Sequence, residues 1–368
     1  MITYKRHTSL KKLLKGKGDN HIEDYLPKGK PILYSSAVRL GLLDIINCLN
    51  FSENEFVLLP PVCPQGLIIP FKRKKINCRY YHLAENFTIN IVSLERLLSD
   101  VNCKVLVFIH YFGIYNHQII EIKELCKLHN VLLIEDAVHG LFSQDEDGLP
   151  LGTIGDISIY SLPKFLPVPD GAVFIINNQD LNIEFNYKKS WKIALSRLFH
   201  LKSLLLNSLI SESSNVFIYK IIKALSLINY TAYYTFLYIN NHNQDISNLT
   251  RRILSDIDYN NYLDKRKKIF DCYNDNLYHY RFKQKLPNLS GYPLIIKGGD
   301  KEAIKHALNK NGIETISYIK GWNYIPDSEE FTLETYLINH HLLLPLNPEI
   351  PLEVYENKIG IIKEILNL

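Results

Sequence analysis

The chain between residues 32 and 178 alternates short apolar runs with segments of helical periodicity. The apolar runs occupy residues 56–59, 105–110, 131–134, 157–160 and 172–176. Helical patterns at 38–49, 93–98 and 119–129 lie between them. Strands that alternate with helices pair side by side in parallel, and helices then cover both faces. The pattern therefore predicts an α/β fold built on a mostly parallel sheet.

Polar residues follow three of the predicted strands, at the edge where such sheets bind ligands. They are His110, Asp136 and Ser161. Asp136 is followed by Ala137, Val138 and His139, and Lys164 comes 28 positions after Asp136 in a proline-rich loop. We expect the acid and the lysine to lie at the same edge of the sheet.

A strand-end carboxylate beside a loop lysine is what a pyridoxal phosphate site requires. The carboxylate keeps the pyridine nitrogen protonated, and the lysine carries the cofactor as an imine. Ala137 is small enough for a flat ring to lie against the backbone, and His139 can reach the same ring. Alternatives remain for each residue taken singly: Lys164 as a surface lysine, Asp136 as a metal or ribose ligand, and His139 as a partner of its own loop.

A phosphate site is expected where Tyr34, Ser35, Ser36 and Ala37 precede the helical pattern at 38–49. Small residues at a helix N-terminus offer free backbone amides and a favourable dipole for an anion. The alternative is an ordinary serine cap of the helix.

Three regions are predicted. Residues 1–30 form an N-terminal arm, 31–245 a large α/β domain with a helical excursion at about 185–245, and 246–368 a small α+β domain. The arm is rich in basic residues, which indicate a solvated flexible segment or, alternatively, a phosphate or membrane contact. The excursion holds two basic amphipathic helices that are too short to span a membrane. They pack on their own domain or on a partner subunit, or alternatively make a weak surface contact with a membrane through residues 190–225. The last domain is expected to contain a strand at 294–296 and helices at 301–311 and 354–366.

Composition excludes several other classes. With 368 residues and a formal net charge of +4, the chain is too weakly basic to indicate nucleic acid as a partner. Its six cysteines lack metal-ligand spacing, so no metal site is expected. Without a signal-peptide pattern, a reducing cytoplasm is the expected compartment.

The order of motifs resembles the DegT/DnrJ/EryC1/StrS family. The motifs are Ser-Ser-Ala at 35–37, His-Tyr-Phe-Gly at 110–113, Glu-Asp-Ala-x-His at 135–139, Gly-x-x-Gly-Asp at 152–156, and then Ser161 and Lys164. The resemblance covers about residues 30 to 180 and resumes near 251–252, 292–294, 312–313, Trp322 and 344–346. It implies a fold type I pyridoxal phosphate enzyme with a seven-stranded type of sheet, and most such members are aminotransferases of nucleotide-linked keto sugars.

The resemblance also implies roles for individual residues. Lys164 would form the internal aldimine, Asp136 would pair with the pyridine nitrogen, and His139 would approach the 3-oxygen. Ser161 and the amides at Ser36 and Ala37 would hold the phosphate, with Ala137 against the ring. His110, Tyr111 and Arg251 are the candidate substrate residues.

The sequence also departs from the family pattern. Lys164 follows Ser161 by three positions where the family usually has five, the stretch 60–65 lacks the usual aromatic residue, and the family's asparagine motif is not recognisable near 247–252. The leading hypothesis is a homodimeric aminotransferase that takes its amino group from glutamate or glutamine and passes it to a nucleotide-activated keto sugar for surface polysaccharide. The alternative is a non-catalytic or membrane-associated protein that keeps the fold for binding or scaffolding. A sugar dehydratase of the same family would carry histidine in place of Lys164.

Overall fold

The structure is a computed structural model, and it describes residues 2–3, 18–212, 216–277, 288–296, 299–315 and 329–367. Its main sheet has seven strands in the order β1-β7-β6-β5-β4-β2-β3. They are β1 Ile32–Ser35, β2 Phe56–Leu59, β3 Asn77–Tyr80, β4 Cys103–Ile109, β5 Leu132–Asp136, β6 Ile157–Ser161 and β7 Ala172–Ile176. Strands β2 to β6 pair in parallel, and β7 is antiparallel to both of its neighbours. The predicted α/β fold with a mostly parallel seven-stranded sheet is confirmed.

Helices cover both faces of this sheet. Every residue of β2 and of β7 is buried, as expected of continuous apolar strands packed on two sides. The helices that alternate with the strands are α1 Val38–Leu49, α2 Gln65–Arg73, α3 Ile91–Leu98 and α4 Gln118–Leu128. The sequence did not predict β1, β3 or α2. Strand β3 is a largely polar edge strand, and α2 follows Pro64 and contains Pro70.

The predicted excursion is a pair of long helices, α5 Trp191–Glu212 and α6 Val216–Tyr238. They pack along each other, with the rings of Phe199 and Phe236 stacked at 5.6 Å. The base of this helical hairpin packs on α1, where Ile193 and Leu237 meet Leu40. No helix within the described ranges is both long and apolar enough to cross a membrane.

The remaining elements follow the hairpin. They are α7 Asn248–Asp256, α8 Tyr259–Asn276, β8 Tyr292–Ile295, α9 Lys301–Lys310, α10 Thr332–His340, β9 His341–Leu344 and α11 Leu352–Ile365, besides 3₁₀ turns at Ile22–Tyr25, Glu85–Phe87, Tyr111–Gly113, Leu162–Lys164 and Glu329–Phe331. Strands β8 and β9 form a separate antiparallel pair, and α11 packs on α8 and α9. The predicted strand and both predicted helices of this region are confirmed, whereas β9 was not predicted. Trp322 lies outside the described residues.

Ile2 and Thr3, at the beginning of the predicted arm, contact the C-terminal region. Ile2 is fully buried, and its amide donates to the carbonyl of Gly312 at 2.8 Å. The Thr3 hydroxyl donates to Oε2 of Glu314 at 2.6 Å. Apolar burial and hydrogen bonding therefore attach these residues to the C-terminal region. The basic residues of the predicted arm, at 5–17, lie outside the described ranges.

Candidate active site

Asp136 is the last residue of β5, at the carboxyl edge of the sheet. Its side chain is buried, and one carboxylate oxygen accepts the Val138 amide at 3.0 Å. Burial raises the pKa of Asp136 to about 6, against the opposing effects of that hydrogen bond and of the charge on Lys164. The site thus contains a buried acid whose charge favours a cationic partner.

Lys164 ends the 3₁₀ turn that follows β6, and its Nζ lies 2.5 Å from His139 Nε2. Burial lowers the pKa of Lys164 to about 8, although the charge of Asp136 acts in the opposite direction. Its amine is therefore much closer to the neutral, nucleophilic form at physiological pH than an exposed lysine.

His139 links Lys164 to the C-terminal region. Its Nδ1 lies 2.8 Å from the hydroxyl of Ser290, which in turn donates to the carbonyl of Phe112 at 3.2 Å. Because that hydroxyl proton is used on Phe112, the pattern favours a proton on Nδ1 and leaves Nε2 to accept from Lys164. Burial and the charge of Lys164 hold the pKa of His139 well below its usual value, so the ring is neutral.

Two further predicted cofactor residues, Ala137 and Ser161, lie at or beside the same edge. Ala137 is fully buried next to Asp136, and its amide donates to the carbonyl of Ile159 at 3.0 Å. Ser161 ends β6 opposite Ala172. The short spacing from Ser161 to Lys164 corresponds to a single 3₁₀ turn, which keeps both residues at the C-terminal end of β6.

The predicted phosphate turn joins β1 to α1. The hydroxyl of Ser36 is buried and has no hydrogen-bond partner among the residues that the structure describes. Helix α1 begins without a side-chain cap, so its first amides also face this turn unsatisfied by a side chain. An orphaned buried hydroxyl beside an uncapped helix fits a phosphate group.

The amides expected to hold the phosphate are, however, already engaged. The Ser36 amide donates to the carbonyl of Gln244 at 2.6 Å, and the Ala37 amide contacts the Ser35 hydroxyl at 3.3 Å. The backbone of a segment distant in sequence occupies the Ser36 donor. In this structure the Ser36 hydroxyl and the start of α1 are the available anion donors.

The structure places His110 and Tyr111, two of the predicted substrate residues, in internal contacts. His110 is fully buried, with Nε2 at 2.8 Å from Glu135 and Nδ1 at 3.3 Å from the Ile114 carbonyl. The Tyr111 hydroxyl donates to the Val62 carbonyl at 2.6 Å. Both side chains are committed to buried internal contacts, because the chain after β4 turns back into the core.

Arg251, the third candidate substrate residue, lies near the phosphate turn. Its guanidinium is 5.0 Å from the centre of the Tyr34 ring, and it donates to both carboxylate oxygens of Asp245 at 2.7 and 2.6 Å. Asp245 neutralises much of its charge, so an anion would have to compete with this ion pair.

Glu135 is a residue whose importance the sequence analysis missed. It accepts the amides of Gly152 and Gly155 at 2.7 Å and that of Ile154 at 3.1 Å, in addition to His110. Burial alone would raise its pKa, but these donors outweigh burial and lower it. It therefore fixes the Gly-x-x-Gly turn that leads into β6. The alternation of side chains along β5, which sends Glu135 and Asp136 to opposite faces, was the available signal.

Comparison with known proteins identifies a related segment. The model of the DegT/DnrJ/EryC1/StrS aminotransferase family matches residues 83–186, which include Asp136, His139 and Lys164. A UDP-4-amino-4,6-dideoxy-N-acetyl-beta-L-altrosamine transaminase from Campylobacter jejuni is 32% identical over 90 residues. That alignment spans about a quarter of each protein, 24% of this chain and 24% of the relative. The predicted resemblance to this family is confirmed over that segment.

Solved structures extend the similarity of fold over the whole length. The aminotransferase TlmJ from Streptoalloteichus hindustanus matches with a TM-score of 0.68 at 18% identity, covering 100% of this chain and 99% of that one. PseC from Helicobacter pylori, an aminotransferase of pseudoaminic acid biosynthesis, gives 0.67 at 16% identity over 100% and 99%. The PLP-form of the putative sugar aminotransferase Spr1654 from Streptococcus pneumoniae gives 0.66 at 14% identity over 100% and 98%. Residues 83–186 thus carry the pattern of the DegT/DnrJ/EryC1/StrS aminotransferase family, within a chain whose described residues have the fold of these solved aminotransferases.

Proposed function

We propose that this protein is a pyridoxal phosphate-dependent aminotransferase that moves an amino group from an amino acid to a keto group on a nucleotide-activated sugar. The convergence of Asp136, His139 and Lys164 at one sheet edge carries the proposal. The unsatisfied hydroxyl of Ser36 adds a place for the cofactor phosphate. Buried groups with displaced pKa values are typical of catalytic sites.

Each residue then has a task. Pyridoxal phosphate, when bound, supplies the electron sink that makes the substrate carbon acidic. Asp136 would hold the proton on the pyridine nitrogen, and His139 would approach the 3-oxygen with its Nε2. Lys164, with its lowered pKa, would remove and return the proton at the substrate carbon. Ser36 and Ser161 would bind the phosphate, and Ala137 would lie against the ring.

The donor and acceptor are proposed from the family. Glutamate or glutamine would supply the amino group. The reaction would take place in the cytoplasm, and its product would be used in the synthesis of surface polysaccharide. Support comes from the activity of the Campylobacter relative, a UDP-sugar transaminase. We further propose a homodimer, since fold type I sites are built at a subunit interface. Static light scattering tests it, and a purely monomeric holoprotein would contradict it.

The cofactor assignment is tested by absorbance and covalent trapping. Purified protein incubated with pyridoxal phosphate should turn yellow, and borohydride should fix the cofactor to Lys164, as read by peptide mass. Lys164→Ala should lose the covalent link and turnover, while Lys188→Ala, an exposed lysine, keeps both. Wild-type protein that stays colourless would overturn the proposal.

The substrate assignment requires two separate screens. Adding single amino acids to the yellow protein should bleach the absorbance band with glutamate or glutamine and leave it unchanged with other amino acids. Protein converted in this way should then aminate UDP-linked keto sugars, with the product identified by mass. Bleaching without transfer to any nucleotide-linked sugar would retain the aminotransferase and reject the sugar acceptor.

One observation favours the alternative of a binding or membrane-associated protein. The helical hairpin α5–α6 exposes large apolar side chains, with Trp191 65%, Phe217 71% and Ile228 63% exposed. Such a surface suits a partner subunit or a lipid headgroup layer. Flotation with vesicles of anionic lipid tests the second possibility. Binding by protein that takes up no cofactor would support the alternative.

A further inference from the structure

The helical hairpin α5–α6 contacts the loop that carries Lys164. We call residues 162–171 the lysine loop. Arg197 Nε donates to Oδ2 of Asp170 at 2.6 Å, and His200 Nδ1 donates to the carbonyl of Pro169 at 2.8 Å. Arg197 and His200 are three positions apart, so they share one face of α5. Asp170 is only 3% exposed, which shields its ion pair from solvent.

The lysine loop makes few hydrogen bonds of its own. Prolines at 163, 167 and 169 have no amide proton to donate. The loop's internal backbone bonds run from Phe165 and Leu166 to Leu162 and from Val168 to Leu166, and the Leu162 amide donates to the Gly171 carbonyl at 3.1 Å, which closes the two ends of the loop. Between these bonds, Pro169 and Asp170 are held by contacts from other parts of the chain.

Asp170 is where those contacts meet. Besides Arg197, its carboxylate accepts the Ser247 amide at 3.0 Å, the Ser247 hydroxyl at 2.8 Å, and the hydroxyl of Thr250. Ser247 is also the N-cap of α7. One buried carboxylate thus joins the lysine loop, the hairpin and the start of the next helix.

Arg197 reaches a second part of the site with the same guanidinium. It donates to Gln244 Oε1 at 3.3 Å and to the carbonyl of Asp245. The carbonyl of Gln244 accepts the amide of Ser36 at 2.6 Å. Arg197 therefore contacts the same segment, Gln244 and Asp245, that accepts the Ser36 amide of the phosphate turn.

We propose that the helical hairpin is a positioning device for the cofactor site, with Arg197 as its central residue. Arg197 holds Asp170, and through it the lysine loop, while fixing the segment around Gln244 against Ser36. His200 adds a second attachment at Pro169. Neither side chain contacts reacting atoms, so both are positioning residues. The inference rests on the proposed function only in naming pyridoxal phosphate as the ligand.

The experiment compares Arg197→Met with matched controls on the same hairpin. Lys202→Met removes an exposed charge from α5. The Lys202 ammonium lies over the Phe199 ring and makes no contact with the lysine loop among the described residues. Ser203→Ala removes a contact between α5 and α6, a 3.0 Å bond to Ser226, without touching the loop. Hydrogen exchange of peptides that cover residues 162–171 is measured on the apoprotein. The dissociation constant of pyridoxal phosphate is measured by absorbance titration.

Arg197→Met should speed exchange in the lysine loop and raise the dissociation constant about tenfold, as expected for one lost charge-assisted bond. Arg197→Lys should lie between it and the wild type, and both controls should behave as wild type. Unchanged exchange and affinity in Arg197→Met would overturn the proposal, and so would an equal effect of Ser203→Ala. If Arg197→Met does not fold, Arg197→Lys and His200→Phe decide by the same criteria.

The two proposals fail separately. A wild-type protein that takes up no pyridoxal phosphate rejects the proposed function, but faster exchange of the lysine loop in Arg197→Met would still support the positioning role. Conversely, normal cofactor uptake by every variant, with unchanged exchange, keeps the function and rejects the role of the hairpin.

Discussion

At the scale of single residues, burial moves the acid and the base of this site toward their neutral forms. It raises the pKa of Asp136 to about 6 and lowers that of Lys164 to about 8. Two groups with opposed charges and converging pKa values are suited to exchange protons near neutral pH. Both residues could be singled out from the sequence as candidates, because an acid after an apolar strand and a lysine in the following loop are local signals.

We expect covalent attachment of pyridoxal phosphate to Lys164 to accelerate as pH rises and to level off above about pH 8. Only the neutral amine attacks an aldehyde, and burial has lowered its pKa from 10.5 to about 8. Stopped-flow absorbance across pH 6–10 measures the profile. A rate that keeps rising to pH 10, as for a free lysine, would contradict the burial of this amine.

Asp136→Asn should stabilise the apoprotein at pH 9, on the order of 2 kcal/mol in the free energy of unfolding. The folded-state pKa of Asp136 is above its unfolded value of 3.8, so the folded chain binds more protons between about pH 4 and 6. Stability therefore falls as pH rises through that window, and the ionised carboxylate stays unfavourable above it. Urea denaturation measures the change, with exposed Asp180→Asn as control. A loss of stability would refute the expectation.

At the scale of elements, the buried apolar strands could be predicted from the sequence, whereas the polar edge strand β3 could not. Residues 105–110 and 172–176 are continuous apolar runs, whereas β3 is Asn-Cys-Arg-Tyr and gains its structure from pairing with β2. Helix α2 was hidden by its prolines. The contacts of Asp170 with Arg197 and Thr250 join residues 27 and 80 positions apart, beyond the reach of any local pattern.

Glu135→Gln should lower the free energy of unfolding by about 2–4 kcal/mol at neutral pH. The NH2 group of glutamine would face the backbone N–H of Gly152 or Gly155, so two donors would oppose each other. The loop before β6 would then lose one of its hydrogen bonds to this side chain. Because the pKa of Glu135 is lowered by folding, its stabilisation is present above about pH 4.5 and is lost as acid protonates it. Urea denaturation of this variant beside Glu124→Gln, an exposed change on α4, measures the effect. Equal stabilities would show that the turn does not depend on this charge.

At the scale of the whole molecule, Glu314 connects three distant parts of the chain. Its carboxylate accepts the Thr3 hydroxyl at 2.6 Å and the Lys223 ammonium of α6 at 2.7 Å, and its amide donates to the Ile2 carbonyl at 2.8 Å. No local sequence signal marked Glu314, since its partners lie 91 and 311 positions away.

Thr3→Val should lower the free energy of unfolding by about 1–2 kcal/mol, because a buried carboxylate oxygen loses its donor while the shape is kept. Lys223→Met should cost less, since its side chain is 42% exposed. The double variant is expected to deviate from the sum of the single effects, as both residues share one carboxylate. Thermal unfolding of the four proteins measures the coupling, and strict additivity would argue against a shared role of Glu314.

The attachment of Ile2 and Thr3 to residues 312–314 bears on how the protein is made. Ile2 and Thr3 are synthesised before their partner Glu314, which is added 311 residues after Thr3. At ordinary rates of translation that interval is roughly 15–60 s. Ile2 and Thr3 consequently cannot make these contacts on any nascent or truncated chain that stops short of Glu314, so the contacts show that synthesis has passed that residue.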